Sequence, residues 1–194
     1  PFTINDIDKE ILKDDSHFRI YEPYRGFVNG RSSYFHNSIS GYHAAKPKRM
    51  QDLYDFYLSK NKLNVLNMLN VKYLIDLDQD NALSLRENQE NLGNAWFIES
   101  LVKVENNNQE ILMLNELDYS KTCLSTMLEN KKYEYDSNNS IKLISRKSNE
   151  LVYEYNSSNE NFVVFSEAFY SKGWESYIDD VKVNHNKVNY LLRG

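Results

Sequence analysis

Residues 162–183, FVVFSEAFYSKGWESYIDDVKV, decide the fold: they hold three short β-branched and aromatic runs separated by small or polar residues. Residues 162–170 and 174–178 read as strands. Asp179-Asp180 falls between the second of these and the Val181-Lys182-Val183 run, where it reads as a two-residue hairpin turn. Working outward, residues 95–104, 141–145, 151–155 and 188–192 have the same character. Leu151, Tyr153 and Tyr155 alternate with Val152, Glu154 and Asn156, as a half-buried strand requires. Short strands at this spacing, parted by Asn, Ser and Gly clusters, predict an antiparallel β-sandwich, jelly-roll-like, over residues 81–194.

The first half carries helical signals. Ile4, Ile7, Ile11 and Leu12 recur at helical spacing, with Asp6, Asp8 and Glu10 in the early turns where carboxylates suit the helix dipole. Residues 17–24, HFRIYEPY, read as a strand ended by Pro23, and a loop containing Gly and Ser leads through Arg31 to Gly41. Pro47 suits a first helical turn, and Met50, Leu53, Tyr54, Tyr57 and Leu58 follow with helical periodicity. Residues 65–69 read as a second short helix and 71–75 as a strand. The expected organisation is α+β: an α/β lobe over residues 1–80, a polar linker around 76–92, and the sandwich lobe.

Composition narrows the function classes. A chain of 194 residues buries roughly 70% of its unfolded surface without staples. With 41% hydrophobic and 26% charged residues it is built to fold. A net charge of −5 gives counterion-release binding little to work with, so no nucleic-acid partner is expected. The 25 asparagines are scattered, with no repeat of fixed period. Cys123 is the single cysteine, which excludes an intrachain disulfide and a multi-cysteine metal site. The longest wholly apolar runs fall far short of the roughly 20 residues that span a bilayer. A start at Pro1 without methionine and a stop just after the run 188–192 read as a piece of something larger.

Catalytic signatures are missing. There is no G-x-S-x-G, no G-x-G-x-x-G and no Walker loop. His17, His36, His43 and His185 lack metal-ligand spacing. Asp14-Asp15 and Asp179-Asp180 are adjacent pairs, and adjacent carboxylates do not face each other across a glycosidic bond.

Four stretches then stand together: YFHNSISGYHAAKPKRMQDL (34–53), NVLNMLNVKYLI (64–75), LGNAWF (92–97), and residues 162–193 with VVFSEAFYSKGWESYID and NYLLR. In this order and spacing they resemble the extracytoplasmic region of the bacterial YfhO family, polytopic membrane proteins with a glycosyltransferase-C-like membrane part. The resemblance covers most of the chain. It departs at Asp180, where such sequences usually have a turn glycine, at Met50, where an aromatic is common, and at Pro47, where an aliphatic is common. It implies a location outside the cytoplasmic membrane and a parent that moves sugars from a lipid-linked donor onto an envelope acceptor. The parent's own transmembrane helices would be the neighbours. The family's catalytic acid would lie elsewhere, so this region is expected to hold no catalytic residue, metal or cofactor.

Within 34–53, Tyr34, His36, Tyr42, His43, Lys46 and Arg49 could line a polar groove, with an aromatic face for a sugar and cations for the phosphate of a polyprenyl-phosphate sugar. The plain alternative is structural: Gly41 turns the chain, Tyr42, Ala44 and Ala45 pack against the neighbouring lobe, His43 bonds to backbone, and Lys46, Lys48 and Arg49 form a solvated helix face. Trp174 shares the apolar face of its strand with Ile178 and is expected to be buried. Three functions follow: a domain that positions glycan acceptor or lipid-linked donor, a free-standing carbohydrate-binding module, or a scaffold for protein partners.

Overall fold

The computed structural model describes residues 2–42 and 46–194. The fold is α+β, and the chain divides into two compact units at Gly93/Asn94. Among the described residues, no helix is long and apolar enough to cross a membrane.

The first unit begins with α1 (Asp6–Ile11). Its start is fixed by a capping box: Asn5 Oδ1 accepts the Asp8 N–H at 2.8 Å and Asp8 Oδ2 accepts the Asn5 N–H at 2.8 Å. The chain then forms β1 (Arg19–Tyr21), a 3₁₀ turn at Pro23–Arg25, and α2 (Arg31–Phe35). α3 (Lys48–Phe56) starts directly after Pro47, as its periodicity predicts, and buries Leu53. Residues Leu63–Leu66 form a 3₁₀ helix, overlapping the start of the short helical segment expected over 65–69.

β2 (Val71–Leu77) follows, parallel to β1, with β3 (Leu83–Glu87) antiparallel on its other side. Residues 76–92 are therefore not a linker. Asn81 takes the left-handed turn at φ 58, and Tyr73 to Leu77 pair residue by residue with Glu87 to Leu83. Polar composition misleads here because the hairpin is half solvated. Ile11, Phe18, Ile20 and Ile75 form a buried cluster, with Ile7, Tyr24, Tyr73 and Leu85 packed around it.

In the second unit, β4 (Ala95–Ile98) and β5 (Ser100–Lys103) precede α4 (Asn107–Met113), β6 (Thr122–Ser125) and β7 (Lys131–Lys132). β5 pairs with β6 in parallel and with β7 antiparallel. β8 (Ser140–Lys147) and β9 (Glu150–Asn156) form a bulged hairpin. β10 (Phe162–Ala168) is antiparallel to β4. β11 (Ser176–Ile178) and β12 (Val181–Val183) form the expected hairpin, with Asp179 and Asp180 at φ 48 and 66 in the turn. β13 (Lys187–Val188) and β14 (Leu192–Arg193) complete a four-stranded sheet ordered β13-β14-β10-β4.

The packing between sheets is sandwich-like. Tyr153 of β9 meets Phe165 of β10 edge to face, ring centroids 5.0 Å apart. Two features depart from the sequence reading. α4 and β6 lie in a region the pattern leaves unassigned, and the strand expected over 95–104 is split into β4 and β5, of which β5 pairs with β6 in parallel. The apolar run 188–192 is not one strand, because Asn189 and Tyr190, at φ 46 and 68, turn the chain between β13 and β14.

Candidate functional site

The residues singled out in the 34–53 stretch have different environments. Tyr34 is 66% exposed and packs edge to face against Phe2 and Phe35. Tyr42 is 79% exposed, so it does not pack as the structural alternative expects. The His36 side chain is only 3% exposed, and its Nε2 lies 3.0 Å from Asp8 Oδ1. His43, Ala44 and Ala45 lie outside the described residues.

Lys46 is half-buried. Its Nζ sits 3.7 Å from the Phe27 ring centroid, and burial lowers its pKa. Phe27 stacks on Tyr54 of α3, centroids 4.5 Å apart, so Lys46, Phe27 and Tyr54 form one column. Arg49 is half-buried on α3. Gly41 turns the chain at φ 149, a conformation that favours glycine, and its N–H donates to Phe27 O at 3.0 Å.

His36 thus belongs to a buried charge network. Arg31 Nη1 donates to Asp8 Oδ1 at 3.2 Å and to Glu22 Oε1 at 3.1 Å, and Nη2 donates to Asp8 Oδ2 and to Thr3 O. Arg25 Nε lies 3.2 Å from Glu22 Oε2. Burial alone would raise the Asp8 carboxyl; the hydrogen bonds from Arg31, Asn5 and His36, with the Arg31 charge, outweigh it and hold the pKa below its ordinary value. The network ties α1, the 3₁₀ turn and α2 together. Its geometry is that of a structural lock.

The second unit has a comparable pair, Lys187 with Glu110, whose other oxygen accepts the Tyr190 N–H at 2.9 Å. Trp174 is half-buried: the Arg193 guanidinium covers its ring at 4.3 Å from the centroid. Ile178, expected on the same buried face, is 49% exposed in the two-stranded β11–β12 hairpin.

The second unit has an open cleft of about 240 Å³. It is lined by β4 and Glu99, by Glu134, Tyr135 and Asp136, by residues 139–141, and by Asn161. Tyr135 is 75% exposed.

Two loops at the cleft are bound to each other. Ser158 Oγ donates to Asp136 Oδ2 at 2.6 Å, Asn156 Nδ2 to Asn138 O at 3.2 Å, and Lys131 pairs with Glu160 at 2.6 Å. The Asn161 amide donates to Ser157 Oγ at 2.8 Å. Hydrogen bonds from the Ser158 hydroxyl and the Asn138 N–H hold the Asp136 carboxyl below its usual range.

A glycosidic general acid needs the opposite shift, so Asp136 is suited to accept hydrogen bonds and not to protonate a leaving group. An exposed aromatic beside carboxyl and amide groups matches the two kinds of surface a sugar offers, its C–H faces and its hydroxyls. Sequence reasoning passes over this cleft because its polar residues sit in Asn- and Ser-rich stretches without motif spacing. Among the described residues, no group of His, Cys, Asp and Glu is placed to hold a metal ion. Comparison with protein-family models, with curated proteins and with solved structures gives no match.

Proposed function

We propose that this chain is an extracytoplasmic domain of a YfhO-like integral membrane protein. In this reading it positions a glycan, acceptor or lipid-linked donor, for a glycosyltransferase-C-type reaction carried out elsewhere in the parent, and it works beside the parent's own transmembrane helices in cell-envelope glycosylation. The membrane context rests on the four stretches that resemble the family. The observation that carries the binding role is the cleft of β4 and residues 134–141, where Tyr135 stands exposed beside Glu134 and Asp136.

The cross-linked loops favour binding, since a preorganised site loses less freedom when its ligand arrives. The ionised state of Asp136 favours recognition over hydrolysis.

A scaffold for protein partners is a second reading. It is favoured by the apolar residues Ile178 and Val181, exposed on either side of the β11–β12 turn.

A panel of envelope glycans tests the choice. The glycan-positioning role predicts binding of intact glycans without cleavage. Release of shortened products would instead identify a hydrolase. Silence across the panel, together with a change of oligomeric state on substituting Ile178 and Val181, would favour the scaffold.

A further inference from the structure

We infer that the sugar bound in the cleft carries no acidic group, being neutral or amine-bearing. This narrows the glycan-positioning role proposed above and rests on it.

Charge selects the ligand. Three carboxylates, Glu99, Glu134 and Asp136, line the cleft, and among the described residues no lysine, arginine or histidine does. Phosphate recognition is built from guanidinium forks, ammonium groups or backbone N–H groups at a helix start. Here the walls are strands β4 and β8 and loops. Of the lysines beside it, Lys131 pairs with Glu160 at 2.6 Å, and Lys121 lies 3.8 Å from Glu99.

A phosphate brought among these carboxylates meets like charge at short range, while hydroxyls and an ammonium meet acceptors. Asp136 receives the Ser158 hydroxyl on one oxygen and the Asn138 N–H on the other, so it stays an acceptor near neutral pH. Tyr135 supplies the apolar face. The volume of about 240 Å³, below the ~300–1,000 Å³ of drug-sized pockets, suits one or two sugar rings.

The test is a titration of the chain, followed by backbone amide NMR shifts, with three probes: a glucosamine disaccharide, its N-acetylated counterpart and glucose 1-phosphate. The expected result is shifts at residues 95–99, 134–141 and 161, with the amine-bearing disaccharide bound at least about tenfold more tightly than the phosphate. Glu134→Gln and added salt should both shrink that preference. Both Glu134 and Tyr135 are exposed, so Glu134→Gln and Tyr135→Ala should leave the fold intact, and Tyr135→Ala should weaken both disaccharides.

Glucose 1-phosphate binding the cleft as tightly as the glucosamine disaccharide would overturn the inference. So would either disaccharide shifting Tyr34 and Tyr42 while the cleft stays silent to both disaccharides, although that outcome leaves a glycan-positioning role standing. Silence with all three probes would remove both.

Discussion

Arg31 and Asp8 come from separate helices, yet they meet as a buried ion pair, with Nη1 of Arg31 3.2 Å from Asp8 Oδ1 and 3.1 Å from Glu22 Oε1. Removing one partner of such a pair leaves the others charged and desolvated. Arg31→Ala is expected to destabilise the first unit by about 3–5 kcal/mol. Urea unfolding followed by amide exchange at β1 and β2 measures it, and a loss below about 1 kcal/mol would mean the network is not the lock described.

Acid should loosen the same unit. The folded-state pKa values of Asp8 and Asp14 are both depressed: in each case burial, which raises them, is outweighed by hydrogen bonds, from Arg31 for Asp8 and from Lys72, Ser16 and Tyr73 for Asp14. A depressed carboxylate contributes stability that is full above its unfolded pKa and lost as pH falls through the folded one. The stability of the first unit is therefore predicted to fall progressively as pH drops below about 4. Stability that is flat or rising down to pH 2 would contradict the assignment.

The β11–β12 turn should respond in the opposite direction, gaining stability from a substitution. Asp180 holds φ 66, where a side chain is disfavoured and glycine is not. An Asp-Gly dipeptide is a preferred sequence for a two-residue hairpin loop. Asp180→Gly is expected to stabilise the hairpin by up to about 1 kcal/mol, seen as slower amide exchange at Ser176 and Val183.

Cys123 reports on opening of the second unit. It is buried, and burial, with the Glu110 charge, pushes its thiol pKa far above the ordinary value. Alkylation of the native protein should be slow at pH 8, with a rate that rises on adding denaturant in step with unfolding. Rapid labelling without denaturant would show that β6 opens locally.

The contrast between Asp180 and His36 shows what is legible in the sequence. The hairpin at Asp179-Asp180 is readable because turn chemistry is local: two short runs and two polar residues suffice. α3 is readable for the same reason, through its period and Pro47. The lock at His36 is not, because its partner Asp8 is distant in sequence and looks like a residue placed only for the helix dipole.

β3 is hidden by polar composition on a half-solvated hairpin, and the break at Asn189-Tyr190 by an apolar run that packs as a turn. The cleft joins β4 to residues 134–141 and 161, a meeting set by strand pairing that no local pattern announces.

Recognition of sugar by the cleft beside Tyr135 is the central claim. Crystals soaked in the N-acetylated glucosamine disaccharide test it most directly. The sugar ring is expected seated against Tyr135, with hydroxyls on Glu134 or Asp136. Occupancy confined to other surfaces, with the cleft holding only solvent at saturating sugar, would contradict it.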